Sequence, residues 1–152
     1  MALTPLTRVQ QATVVALVGG RRLDVVPADV ARATSFLRQA EERLNQLPLL
    51  TSAVVRYGIA YDACHDIGEV LLAAYGFRTT NGPGQDEALG RYLRAVFDKP
   101  PAEKAAREFD RLRHARNQDR YEAKPVGAAA TDKAQQVART LFDAAVARGV
   151  TL

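Results

Sequence analysis

Between Thr51 and Gly76 the apolar residues Val54, Val55, Ile59, Ala63, Val70, Leu71 and Ala74 fall on nearly every side of a helical projection. A helix that is apolar all round must be covered all round, so it belongs in the middle of a bundle. Thr51 or Ser52 can cap its start, and Gly76 is a good stop signal. The neighbouring segments supply the cover. Pro27-Ala28-Asp29 opens a helix capped by Asp29, in which Val30, Ala33, Phe36, Leu37, Ala40, Leu44 and Leu47 keep helical spacing until Pro48. After Gly76, FRTTNGPGQ reads as a loop, because its glycines and proline oppose a continuing helix. A short helix is predicted from about Asp86 to Phe97, with Leu89, Leu93 and Val96 or Phe97 inward. Further helices follow from about Ala102 to Tyr121 and from Thr131 or Asp132 to Arg148.

Nothing in the chain reads convincingly as a sheet. The fold class predicted is therefore all-α, an up-and-down bundle of four to five helices spanning residues 29 to 150, preceded by a short N-terminal arm, residues 1 to 28. Within the arm, TVVALV is closed by Gly19-Gly20, and its periodicity does not decide between helix and strand. The apolar run there is far shorter than the roughly 20 residues that span a bilayer. No signal-peptide pattern opens the chain. No membrane association is expected.

The single cysteine, Cys64, rules out a disulfide framework and a multi-thiolate zinc site, and it points to a reducing, cytoplasmic setting. The net charge of +4 is too small to establish nucleic-acid binding. Its make-up says more, since 17 of the 21 cationic side chains are Arg. Arg makes planar bidentate contacts with phosphate and carboxylate that Lys cannot make, although a GC-rich genome would enrich Arg as well.

On the segment from 102 to 121, Ala105, Phe109 and Leu112 form the inward stripe, and the same arc continues as Arg113, Arg116 and Arg120. A core stripe that turns cationic needs partners, because burying an unpaired charge costs several kcal/mol. The 51–76 helix offers Asp62 and Asp66, so an Asp66 to Arg116 or an Asp62 to Arg113 pair across the bundle is expected. The alternative is a cleft or dimer groove in which the arginines hold a phosphate. Asp62, His65, Asp66 and Glu69 also form a carboxylate and imidazole stripe at i, i+3, i+4 and i+7. A di-metal site would need matching ligands on facing helices, and the other histidine, His114, projects away from the bundle. The stripe is therefore read as a solvated face, with no metal and no cofactor. Cys64 is read as a small core residue.

Taken together, VRYGIAYDACHDIGEVLLAAYGFRTTNGPG, the short helix after it and the signature Arg113-x2-Arg116-Asn117-x3-Tyr121 resemble the HEPN family of small prokaryotic helical proteins. The resemblance covers about residues 29 to 148. It implies a homodimer in which the signature helices face each other across a groove, and a role in toxin-antitoxin, defence or RNA-processing systems. An antitoxin or a nucleotidyltransferase-type protein is the partner this implies. Active members carry an Arg-x4-6-His pattern and cleave RNA without a metal, the Arg stabilising charge in the transition state and the His moving a proton. Here the histidine positions hold Tyr121, Glu122 and Ala123 counted from Arg116, and Gln118, Asp119 and Arg120 counted from Arg113.

Two functions follow. In the first, Arg113, Arg116 and Arg120 grip RNA phosphates, with Arg116, Asn117 and Tyr121 as the set that binds or weakly cleaves. In the second, an inert HEPN bundle serves as a dimerisation or regulatory module, and its signature arginines pair internally with Asp62 and Asp66. A small-molecule pocket between helices is a third possibility, for which the sequence names no ligand.

Overall fold

The computed structural model describes residues 2–123 and 125–152, apart from the side chains of residues 118–122. Among the described residues there are six α-helices and one two-stranded sheet: α1 Arg8–Gly19, β1 Leu23–Val25, α2 Val30–Gln46, α3 Ala53–Tyr75, β2 Phe77–Thr79, α4 Gln85–Val96, α5 Ala102–Glu122 and α6 Ala128–Ala147. No helix is long and apolar enough to cross a membrane among the described residues.

The central helix is α3, which packs against α2, α6, α4 and α5. Ile67, Val70 and Leu71 lose all solvent contact there, and Tyr57, Ala60, Cys64 and Leu72 are buried on other sides. Its ends follow local rules. The Ser52 hydroxyl caps the start by accepting from the Val55 amide at 3.5 Å, and Gly76 ends it in the left-handed region at φ 87°, which a residue without Cβ adopts freely. Asp29 caps α2 through the Arg32 amide at 2.9 Å. A single turn of tighter helix at Leu47–Leu49 then carries Pro48.

One close approach sets the spacing of the layer that holds the polar residues. A Cβ built on Gly68 of α3 would lie 2.6 Å from the Leu89 side chain of α4. With Leu89 where it stands, a Cβ at this position does not fit.

Three features depart from the sequence reading. The stretch before Asp29 is more structured than an arm. Thr7 and Gln10 form a reciprocal capping box that starts α1. Gln10 then donates to the Val96 carbonyl at 3.1 Å and to Asp98 at 2.9 Å, fastening α1 to the end of α4. There is also a sheet. β1 pairs antiparallel with β2, Leu23 opposite Thr79 and Val25 opposite Phe77, so the loop expected after Gly76 begins as a strand. Finally, α6 starts at Ala128 and not at Thr131 or Asp132; Thr131 is buried inside it, its hydroxyl bonding back to the Gly127 carbonyl at 3.1 Å.

Candidate functional site

Helix α5 carries the stripe that turns cationic. Phe109 and Leu112 are buried, and the Tyr57 hydroxyl donates to the Leu112 carbonyl at 3.0 Å, tying α5 to α3. One turn further, the same face presents Arg113, Arg116 and Asn117. The Arg116 guanidinium lies 4.6 Å above the Tyr61 ring, and that ring stacks on Phe109 with centroids 5.5 Å apart. Arg116 thus completes a three-layer stack whose lower members belong to the core, which places its charge at the surface end of the stack.

The carboxylate partners differ from those expected. Arg116 Nη1 donates to Asp62 Oδ1 at 2.5 Å, so it pairs with Asp62 rather than Asp66. Asp66 is 4% exposed and pairs with α2 instead: Arg43 Nε donates to Oδ2 at 2.8 Å and Gln39 Nε2 to Oδ1 at 3.2 Å. Arg43 also reaches Asp62 Oδ2 at 3.5 Å, bridging the two aspartates. Burial outweighs Arg43 here and raises the Asp66 carboxyl to about 6. Arg113 pairs with neither; its Nε lies 3.8 Å from Asp110 Oδ1, and neither atom has a hydrogen-bond partner among the described residues.

The expectation of a solvated face on α3 is therefore corrected. The stripe is a polar seam shared with three helices. His65 Nε2 lies 3.4 Å from Asp86 Oδ1 in the first turn of α4, and the Tyr61 hydroxyl donates to Asp86 Oδ2 at 3.2 Å. Asp86 raises the imidazole above its ordinary value, and the contact with His65 lowers the Asp86 carboxyl. Burial pushes the Tyr61 phenol up, which keeps it a neutral donor. Tyr61, Asp62, His65, Asp86, Arg116 and Asn117 line an open cleft of about 240 Å³. A second opening of about 340 Å³ adjoins it through Asp86 and Asn117, and there Arg113 faces Gly82 and Gly84 of the turn before α4.

Of the residues picked out from sequence, the structure brings Arg116, Asn117 and Asp62 to one cleft, sets Arg113 beside it, and takes Asp66 into the α2–α3 contact. The side chains of Arg120 and Tyr121 lie outside the described residues. His114 is exposed, 3.4 Å from the Arg113 guanidinium. Cys64 is buried, and burial pushes its thiol up, away from reactivity. Among the described residues, no group of three or more His, Cys, Asp or Glu could hold a metal ion. A larger, mostly apolar cleft of about 530 Å³, between the segment before α1 and α6, shares no residue with the polar one.

The sequence does not bring out His65, Asp86, Tyr61 and Arg43 as a set, although His65 belongs to the carboxylate and imidazole stripe. Part of the signal was present: Tyr61 and His65 are four residues apart and so share a helix face, as do Gln39 and Arg43. Comparison of the chain with protein-family models, with curated proteins and with solved structures gives no match.

Proposed function

We propose that this chain is a HEPN-like up-and-down bundle directed at RNA, a cytoplasmic homodimer of the toxin-antitoxin or stress and defence kind. In this reading Arg113, Arg116 and Arg120 contact backbone phosphates, Asn117 and Tyr121 orient the strand, and an antitoxin or nucleotidyltransferase-type protein is its partner. The observation that supports it best is the position of Arg116 and Asn117 in an open cleft, with Arg113 beside them, whose carboxylate contact among the described residues is Asp110 at 3.8 Å. A cation so loosely compensated is available to a phosphate oxygen.

Fluorescence anisotropy with labelled single-stranded RNA across a salt series tests this. Binding should weaken steeply with salt, because phosphate contacts release counterions. In Arg113→Ala the slope of log K against log salt should fall by about one. RNA binding that is absent at low salt removes the proposal.

One observation favours the second reading, an inert dimerisation or regulatory module. Arg116 is held by Asp62 at 2.5 Å and stacked on Tyr61, as a structural arginine would be. An Arg116→Ala protein that fails to fold, together with wild-type protein that binds no RNA, selects that reading.

A further inference from the structure

We propose that His65 is the general acid of an RNA transesterification in this cleft, with Asp86 as its positioning residue. The inference rests on the RNA-directed reading and goes beyond it, because the proton carrier comes from the central helix and not from the signature helix.

His65 lines the same cleft as Arg116 and Asn117, whereas His114 is exposed outside it. A proton-transferring histidine needs one ring nitrogen held and the other free. Asp86 Oδ1 faces Nε2 at 3.4 Å, and Asp86 is itself fixed through its other oxygen by the Tyr61 hydroxyl. Nδ1 has no hydrogen bond among the described residues, and the side chain as a whole is 35% exposed on the cleft. This is the arrangement of a base oriented by a third group.

The surrounding charges agree with an acid. The charges that act on the imidazole are Asp86 of α4 and Glu69 and Asp66 of α3; Asp62, Arg116 and the neutral Tyr61 phenol line the same cleft, while Arg43 of α2 is engaged with Asp62 and Asp66 and Arg113 of α5 lies in the adjoining opening. The carboxylates prevail and hold the ring protonated to higher pH than a free histidine.

The ribose 2'-oxygen attacks phosphorus, and its proton passes to solvent water. The bond from phosphorus to the 5'-oxygen breaks, and Nδ1 of the imidazolium gives its proton to that departing oxygen. Arg116 faces the charge on the non-bridging oxygens. The products are a 2',3'-cyclic phosphate and a 5'-hydroxyl, and solvent returns a proton to His65.

The test uses the full chain and two oligonucleotides, each with a single ribose, one natural and one with sulfur in place of the 5'-bridging oxygen. A thiolate leaves without protonation. On the natural substrate His65→Gln should lose about 10²- to 10⁴-fold in single-turnover rate. On the sulfur substrate it should return to within about tenfold of wild type, while Arg116→Ala stays slow on both. In Asp86→Asn the rate should begin to fall at lower pH than in wild type, because the imidazole loses the carboxylate that keeps it protonated. Unchanged cleavage by His65→Gln, or equal loss on both substrates, overturns the inference. Wild-type protein that binds RNA through Arg113 but cleaves nothing overturns the acid role and keeps the binding reading. Wild-type protein that neither binds nor cleaves overturns both.

Discussion

Asp66 and His65 are consecutive residues on α3, yet they live in different regions. Asp66 is sealed in the contact with α2, where Arg43 and Gln39 saturate its oxygens. His65 stands in a half-open cleft and holds one carboxylate, itself 49% exposed, at 3.4 Å. The first arrangement fixes helix register: removing one partner strands a charge in a low-dielectric contact. The second is cheap to disturb, since water can replace what the carboxylate provides. A single polar stripe thus serves structure on one side and exchange on the other, and the deciding variable is how much water each side keeps.

The sharpest way to break this contrast is Arg43→Ala. It leaves Asp66 buried without its cation, and unfolding in urea at pH 8 should show a loss of about 3–5 kcal/mol. At pH 5 the loss should be smaller, because the carboxyl can take up a proton instead.

A smaller effect separates the two regions by pH. The folded carboxyl of Asp66 sits at about 6, above an unfolded value of about 3.9. The native state therefore binds more protons between those values, and the Asp66 contribution is fully present below pH 4 and lost as pH rises toward 6. In Asp66→Asn that loss, about 1–3 kcal/mol for a carboxyl raised this far, should vanish when stability is followed from pH 4 to pH 7.

Asp86→Asn should do least, under about 1 kcal/mol, because both partners are more than a third exposed. The signs here are opposite for the two groups. The Asp86 contribution appears above the ordinary carboxylate range and is lost as pH falls through its lowered value. The His65 contribution is present below the ordinary imidazole value and is lost as pH rises through its raised one. Wild type and variant should therefore differ most between about pH 4 and pH 6.5 in thermal melts. A loss as large as that of Arg43→Ala would show that the cleft is as structural as the buried seam.

The helix ends were readable because their causes are local. Asp29, Ser52 and Gly76 each act within one turn of chain, and the all-round apolar pattern of α3 announced a central position. β1 and β2 were not readable, since strands of three residues gain their pairing from segments more than fifty positions apart. α1 hid behind the run TVVALV, although Thr7 and Gln10 carried its start signal. In the cleft, the cationic continuation of the α5 stripe was visible from periodicity alone. Which aspartate meets which arginine was not, because that depends on how far two helices slide along each other, and one turn exchanges Asp62 for Asp66. The meeting of His65 with Asp86 depends in turn on the path of the Gly-rich turn, which no periodic pattern encodes.

Gly68 lies three positions after His65, and Leu89 three positions after Asp86, so the missing side chain at 68 is a spacer gauge for the interval between imidazole and carboxylate. An alanine there makes the Leu89 side chain or α4 itself give way, and where the helix moves, the interval lengthens without any charged atom being touched. Trimming Leu89 relaxes the same constraint from the other side. Two apolar positions thus bear on the distance between the charged groups of the cleft while every charged residue stays as it is.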